Sequence, residues 1–181
     1  MYIELIEYPD DKKWMGVKQR ALVTVGKKVK TPPTEEWKRA ILRARHSPIR
    51  YLFFSFYFED LPTYVSTHLA RHVHAQPYIQ SQRNDRQDNY DREEAPQKAP
   101  VRMIWDITGE ELLIIFNKRL CHQADPKTIK WVEKMRELVL EKCPEFEQES
   151  VRMCEYLGRC PEMKPCGYYD MLRHYDEKLQ G

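Results

Sequence analysis

The chain has no apolar run long enough to cross a membrane. Its longest, YLFFSFYF at 51–58, is strand-sized and interrupted by Ser55, whereas a helical span needs about 20 apolar residues. Its five cysteines are an odd number without framework spacing, which excludes a disulfide-stapled secreted domain and leaves reduced thiols. Cys154, Cys160 and Cys166 recur every six residues with Cys143 further upstream. None has a partner at the short spacing that zinc sites favour, so no metal is expected. Net charge is only +2, which selects no class of partner, and neither a membrane nor polymeric nucleic acid is expected. Residues 1–10 are acidic and lack a leader pattern, so a cytoplasmic location is expected by default. No internal repeat or composition break marks a second domain. A single domain over 1–181 is expected, large enough to bury a core without staples.

What is present reads as strands followed by helices. Residues 1–8 alternate apolar and polar, as a half-buried strand does, and 20–30 (RALVTVGKKVK) repeat that alternation with a turn near Gly26. Thr34 can cap a helix whose first turn carries Glu35 and Glu36 and whose last turn carries Arg43 and Arg45, with Pro48 as its stop. The stretch 51–58 is apolar on both faces, which places it inside a sheet. Pro62 opens a helix over roughly 62–72, and 80–100 is a polar surface loop. Thr108 and Glu111 fit a capping box for a helix ending near Arg119. Asp125-Pro126 starts another, with Ile129, Val132, Met135 and Leu138 as its apolar stripe. A last helix is expected over 145–157 and a tail over 158–181. The fold class is α+β: an antiparallel or mixed sheet flanked by helices.

The chemistry-bearing segment is 71–83, RHVHAQPYIQSQR. It sets Arg71, His72, His74, Ser81 and Arg83 in a helix end that runs into an extended loop. Guanidinium, imidazole and hydroxyl groups in a short span suit a phosphate or pyrophosphate. They are equally the composition of a solvated basic loop. Arg119 alone could serve only to complement a helix dipole.

The segment resembles the signature of flavin-dependent thymidylate synthases, in which Arg-His-Arg is followed after seven residues by Ser and then a second Arg. Arg71, His72, Ser81 and Arg83 match at that spacing, and Val73 replaces the third residue. The surroundings match in order: His46-Ser47-Pro48, the aromatic strand, the Pro62 helix, the strand and helix 101–119 ending in arginine, and EKCP at 141–144. The resemblance covers roughly 35–150. It departs where the family carries a longer stretch between the signature and the strand at 101, and where the family's two flavin-contacting asparagines are Thr108 and Ile114.

The resemblance implies the family's fold, a homotetramer with sites shared between subunits, FAD as cofactor, methylenetetrahydrofolate and NADPH as cosubstrates, and dUMP as substrate. It implies flavin contacts for His46, Pro48, Arg71, His72, Val73 and Ile79. It implies nucleotide contacts for His68, Gln80, Ser81, Gln82, Arg83 and Arg119, with Arg119 gripping the pyrimidine and acting catalytically through electrostatics. Two other functions stay open: one-carbon transfer to a different pyrimidine nucleotide, such as hydroxymethylation, and nucleotide binding without catalysis.

Overall fold

A computed structural model describes residues 1–86 and 91–180, with side chains described to 175. Part of the 80–100 loop and the end of the 158–181 tail therefore lie outside the described residues. The chain begins with β1 (Tyr2–Glu7), α1 (Asp11–Val23) and α2 (Glu35–Arg43). A 3-10 turn (Ser47–Tyr51), β2 (Phe53–Pro62), α3 (Thr63–Ala70) and β3 (Ala75–Ile79) follow. Then come β4 (Pro100–Thr108), α4 (Gly109–Arg119), α5 (Pro126–Lys142), a second 3-10 turn (Pro144–Glu149), α6 (Met153–Leu157) and α7 (Tyr168–Gln180).

The four strands form one antiparallel sheet in the order β1-β2-β4-β3. Phe54, Phe56 and Phe58 of β2 lie opposite Ile107, Trp105 and Met103 of β4, and all six are buried. That face is covered by helices: Phe58 meets Trp131 of α5 with ring centroids 5.9 Å apart, and Phe54 meets Phe146 at 5.3 Å. Burying each such side chain contributes about 1.5–3 kcal/mol before entropy is counted. On the other face Tyr2, Tyr78 and Ile104 are exposed, so the sheet is covered on one side only. β2 is interior, as its apolar run requires.

Four local expectations are corrected. Residues 20–30 do not form a strand: α1 runs to Val23 and a turn and an irregular segment follow, while α1, capped by Asp10, whose side chain accepts from the Lys13 amide, buries Trp14 and Val17 three residues apart. Helical spacing from 14 onward outweighs the short alternation at 20–25. Residues 75–79, read as the start of a loop, are an edge strand paired with β4. Pro77 fits there because an edge strand can spare an amide donor. The expected helix 145–157 is a 3-10 turn and a separate short α6, and the tail contains α7. Finally, Thr108 does cap α4 by accepting from the Glu111 amide, but the Glu111 carboxylate does not turn back to the cap. It is bound to His72.

Two backbone features position the site. Between Phe58 and Leu61, β2 carries one residue more than β4, and Asp60 takes a φ of 57°. Such a bulge bends a strand, and here it delivers the chain into α3. At the other end of β2, the Gly109 amide donates to Leu52 O at 2.9 Å, and a Cβ on Gly109 would stand 2.9 Å from Ile49 O. Only glycine lets α4 start against that 3-10 turn.

Candidate active site

α3, α4 and the start of α5 meet beside the β3 end of the sheet, and Arg119 lies at their junction. Its Nε donates to His72 Nε2 at 3.0 Å and its Nη2 to His68 O at 2.7 Å. His72 Nδ1 faces Glu111 Oε1 at 3.0 Å. His72 and Glu111 are buried, with 8% and 4% of their surface exposed. The donor at Arg119 Nε requires a lone pair on His72 Nε2, so the imidazole proton sits on Nδ1 and is donated to Glu111. Burial, reinforced by the charge of Arg119, holds the His72 pKa below its ordinary value against the pull of Glu111. This shift and the bond accepted from Arg119 both favour the neutral ring. Burial and the nearby charge of Arg71 also push the Arg119 pKa down.

These bonds use one edge of the guanidinium, Nε with Nη2. Arg119 also lines a cleft of about 320 Å³, together with His72, Lys118, Cys121, Gln123, Ala124 and Glu162. A guanidinium fixed along one edge presents two parallel donors along the other, the fork that binds planar acceptors bidentately.

A second cleft of about 290 Å³ runs along α3, lined by Thr63, Tyr64, Thr67, His68, Arg71 and Gln97. The Thr128 hydroxyl gives its proton to Asp125 Oδ1 at 3.2 Å, so it accepts from His68 Nδ1 at 3.0 Å. This leaves the His68 Nε2 lone pair available, with the ring edge-on to Tyr64 at 5.8 Å. Arg71 is exposed and makes no ion pair among the described residues.

The two halves of the 71–83 motif lie at opposite ends of α3. Arg71, His72 and Arg119 gather at its C-terminal end. Gln82 Nε2 donates to Thr63 Oγ1 at 2.7 Å at its N-terminal end, about 12 Å away at 1.5 Å per residue. Ser81 Oγ accepts from the Arg83 amide at 3.4 Å, and Arg83 is closed on Asp85 by bonds of 2.9 and 2.7 Å. Gln80 ties β3 to β4, its amide donating to Arg102 O and its side chain accepting from the Arg102 amide. Val73 and Ile79 are exposed. His46 is exposed at the entry to the first 3-10 turn, where Pro48 is buried. Neighbouring Arg45 bonds Asn117 Oδ1 at 2.8 Å. Asn117 and Arg119 are two residues apart on α4, about 200° around the helix, so within one chain His46 and Pro48 stand away from the Arg119 cleft.

The sequence reading missed Glu111, Lys118, Cys121, Gln123 and Glu162. Glu111 had a signal, a carboxylate heading an otherwise apolar run (LLIIF), and such a group is buried only with a partner. Glu162 had none, because an irregular segment brings it in. The cysteines are all free: Cys143 and Cys154 are buried, Cys121 and Cys160 half-buried, and Cys166 exposed. Among the described residues no group of three or more His, Cys, Asp or Glu side chains could hold a metal, and no helix is long and apolar enough to cross a membrane.

No protein-family model and no curated protein matches the chain. Solved structures do. One is thymidylate synthase X (ThyX) from Helicobacter pylori, in a crystal structure with FAD and dUMP. It superposes with a TM-score of 0.64 over 82% of this chain and 96% of that one, at 13% identity. The fold is that of ThyX. At this identity the likeness concerns the backbone arrangement alone; Arg119, His72 and Glu111 are read from their own geometry. In this chain β3 and β4 pair directly, from Ala75–Ile107 to Ile79–Met103.

Proposed function

We propose that the chain is a flavoenzyme that transfers a one-carbon unit to a pyrimidine deoxynucleotide, with FAD-dependent methylation of dUMP to dTMP as the family reaction. The observation that carries this is Arg119, fixed along one edge by His72 and His68 O and lining a cleft. Each cleft is near the lower limit of ligand pockets, about 300–1,000 Å³. That suits a mononucleotide or one half of a dinucleotide.

The residues fit one end of FAD: unpaired Arg71 can meet a diphosphate, and the Tyr64 and His68 rings can flank a planar group. When bound and reduced by NADPH, FAD supplies the hydride, while methylenetetrahydrofolate supplies the carbon. The chain's own part is positioning and electrostatics. Arg119 holds the pyrimidine edge and stabilises negative charge as the ring is polarised. Glu111 and His72 hold Arg119. Gln82, at the far end of the α3 cleft, and Ser81 and Arg83 beside it would meet the sugar-phosphate, with Asp85 displaced from Arg83. A homotetramer fits the separation of His46 and Pro48 from Arg119, since a second subunit can supply them.

The test is the visible spectrum of the chain titrated with FAD, then reduction with and without dUMP and product analysis by mass. A flavin absorption band and a product heavier by a methyl group are expected. A folded chain that binds no flavin refutes the enzyme reading. A second reading, one-carbon transfer to another pyrimidine nucleotide, is favoured by one observation: a carboxylate, Glu162, lines the Arg119 cleft.

A further inference from the structure

The face of the sheet that no helix covers is built in three rows. The strand register sets Glu4, Tyr57, Ile104 and Tyr78 side by side across β1, β2, β4 and β3. Directly opposed residues of antiparallel strands point to the same side, so these four share the face. On one side of this row lie Tyr2, Glu59, Arg102 and Gln80. There Arg102 Nε donates to Glu59 at 3.1 Å, and Gln80 bonds the Arg102 backbone. On the other side lie Ser55, Asp106 and Gln76, with Ser55 Oγ donating to Asp106 at 2.7 Å. The middle row carries the apolar surface. Ile104 and Tyr78 are exposed, as is Tyr2, whose ring stands 6.2 Å from that of Tyr57. Tyr57, Tyr78, Ile104 and Arg102 line a groove of about 560 Å³ on this face.

We infer that this face is an interface between two copies of the chain, related by a two-fold axis that runs along the strands between β2 and β4. An exposed apolar patch rimmed by polar groups marks an interaction surface, and tyrosine is enriched in such surfaces. The occupant follows from self-complementarity, which a two-fold interface requires. Packed sheets stand about 10 Å apart, and this axis lays β2 over β4 and β1 over β3 of the second copy. Glu59 then faces Arg102 of the second copy, so the two in-chain ion pairs join into one cluster of alternating charge. Tyr57 faces Ile104, Ser55 faces Asp106, and Glu4 faces the Tyr78 hydroxyl, a donor to its carboxylate. The alternative two-fold, running across the strands, sets Glu4 on Glu4, and like charges opposed across an interface are costly. The pairing needs no flavin, and it supplies one two-fold contact of the proposed homotetramer.

The experiment is analytical ultracentrifugation of the full chain over a concentration series, with circular dichroism to check that each variant is folded. Ile104→Arg sets an unpaired charge against Tyr57 of the second copy. It should weaken association at this face by on the order of a hundredfold and shift the native assembly to half its mass. Tyr78→Glu, which faces Glu4 with a like charge, should weaken association by about tenfold. Adding Glu4→Lys to Tyr78→Glu should restore it. Within one chain these two positions stand on opposite edge strands, about 14 Å apart at three strand spacings, so the rescue reports contact between copies. Both substituted positions on β3 and β4 are exposed, so the fold should be kept. A native assembly that Ile104→Arg and Tyr78→Glu leave intact, or a Tyr78→Glu defect that Glu4→Lys does not repair, overturns this interface and leaves the homotetramer to other surfaces. A native chain that stays monomeric overturns the interface and the homotetramer together.

Discussion

Glu111 is the residue whose removal tests the site most directly, because it touches no proposed ligand. It lies two turns from Arg119 on α4, and its carboxylate accepts from His72 Nδ1 at 3.0 Å in a buried setting. In Glu111→Ala the Nδ1–H loses its acceptor where water does not reach it. A hydrogen bond to a charged group contributes about 1.5–3 kcal/mol. For a chain of 150–250 residues each kcal/mol moves the melting temperature by roughly 2–4 °C. A fall of about 3–12 °C follows from those two ranges. Glu111→Gln keeps a carbonyl acceptor and forfeits only the charge, at about 1 kcal/mol. The two variants should also separate in the imidazole itself: the native chain and Glu111→Gln should show the Nδ1–H form of His72 by nitrogen-15 NMR, and Glu111→Ala a mixture. With the ring free to change tautomer, Nε2 no longer accepts reliably from Arg119. Nucleotide affinity should then fall in Glu111→Ala more than in Glu111→Gln. Thermal melts, the NMR tautomer and nucleotide calorimetry measure these three outcomes. An Nε2–H imidazole in the native chain, or two variants indistinguishable from it in all three, would refute the relay.

Other outcomes follow from the same geometry. Arg119→Ala should lower turnover by on the order of a hundredfold and cost about 1–3 kcal/mol of stability. That is more than a helix-end charge alone contributes, since two bonds to His72 and His68 O are lost; melts beside steady-state rates check it. Stability should depend on pH through His72. Its folded pKa is depressed, chiefly by burial, so its contribution is complete above the unfolded value near 6.5. It is lost as pH falls from there through the folded value, and denaturant titrations of the native chain and His72→Gln should show this slope only in the native chain. Light scattering should show a tetramer; a stable monomer would remove the shared-site explanation for His46 and Pro48. Burial pushes the Cys143 thiol up to about 12, so thiol reagents should label exposed Cys166 first and Cys143 only on unfolding.

Some of this was settled by the sequence alone because the physics is local. The apolar run 51–58 marked an interior strand, and from Phe53 onward β2 is paired on both edges, with β1 and with β4. Thr34, Thr108 and Asp125 each cap a helix by accepting an amide within three residues, so each boundary was readable from a few neighbouring letters. Arg71 and His72 were marked as flavin contacts and Arg119 as a pyrimidine contact by resemblance to a known pattern; the fold sets Arg119 directly on His72. What tertiary structure decided depends on partners far along the chain. The alternation at 20–25 lost to helix α1 because Trp14 and Val17 fill the core three residues apart. Residues 75–79 became a strand because β4 offered an unpaired edge. The Glu111 carboxylate left its helix cap for an imidazole 39 residues away. Glu162 lines the Arg119 cleft from a segment whose Lys164 O accepts from Gln123, 41 residues away in sequence. Distance in sequence hides such pairings, since a carboxylate's role is set by the group it meets in space.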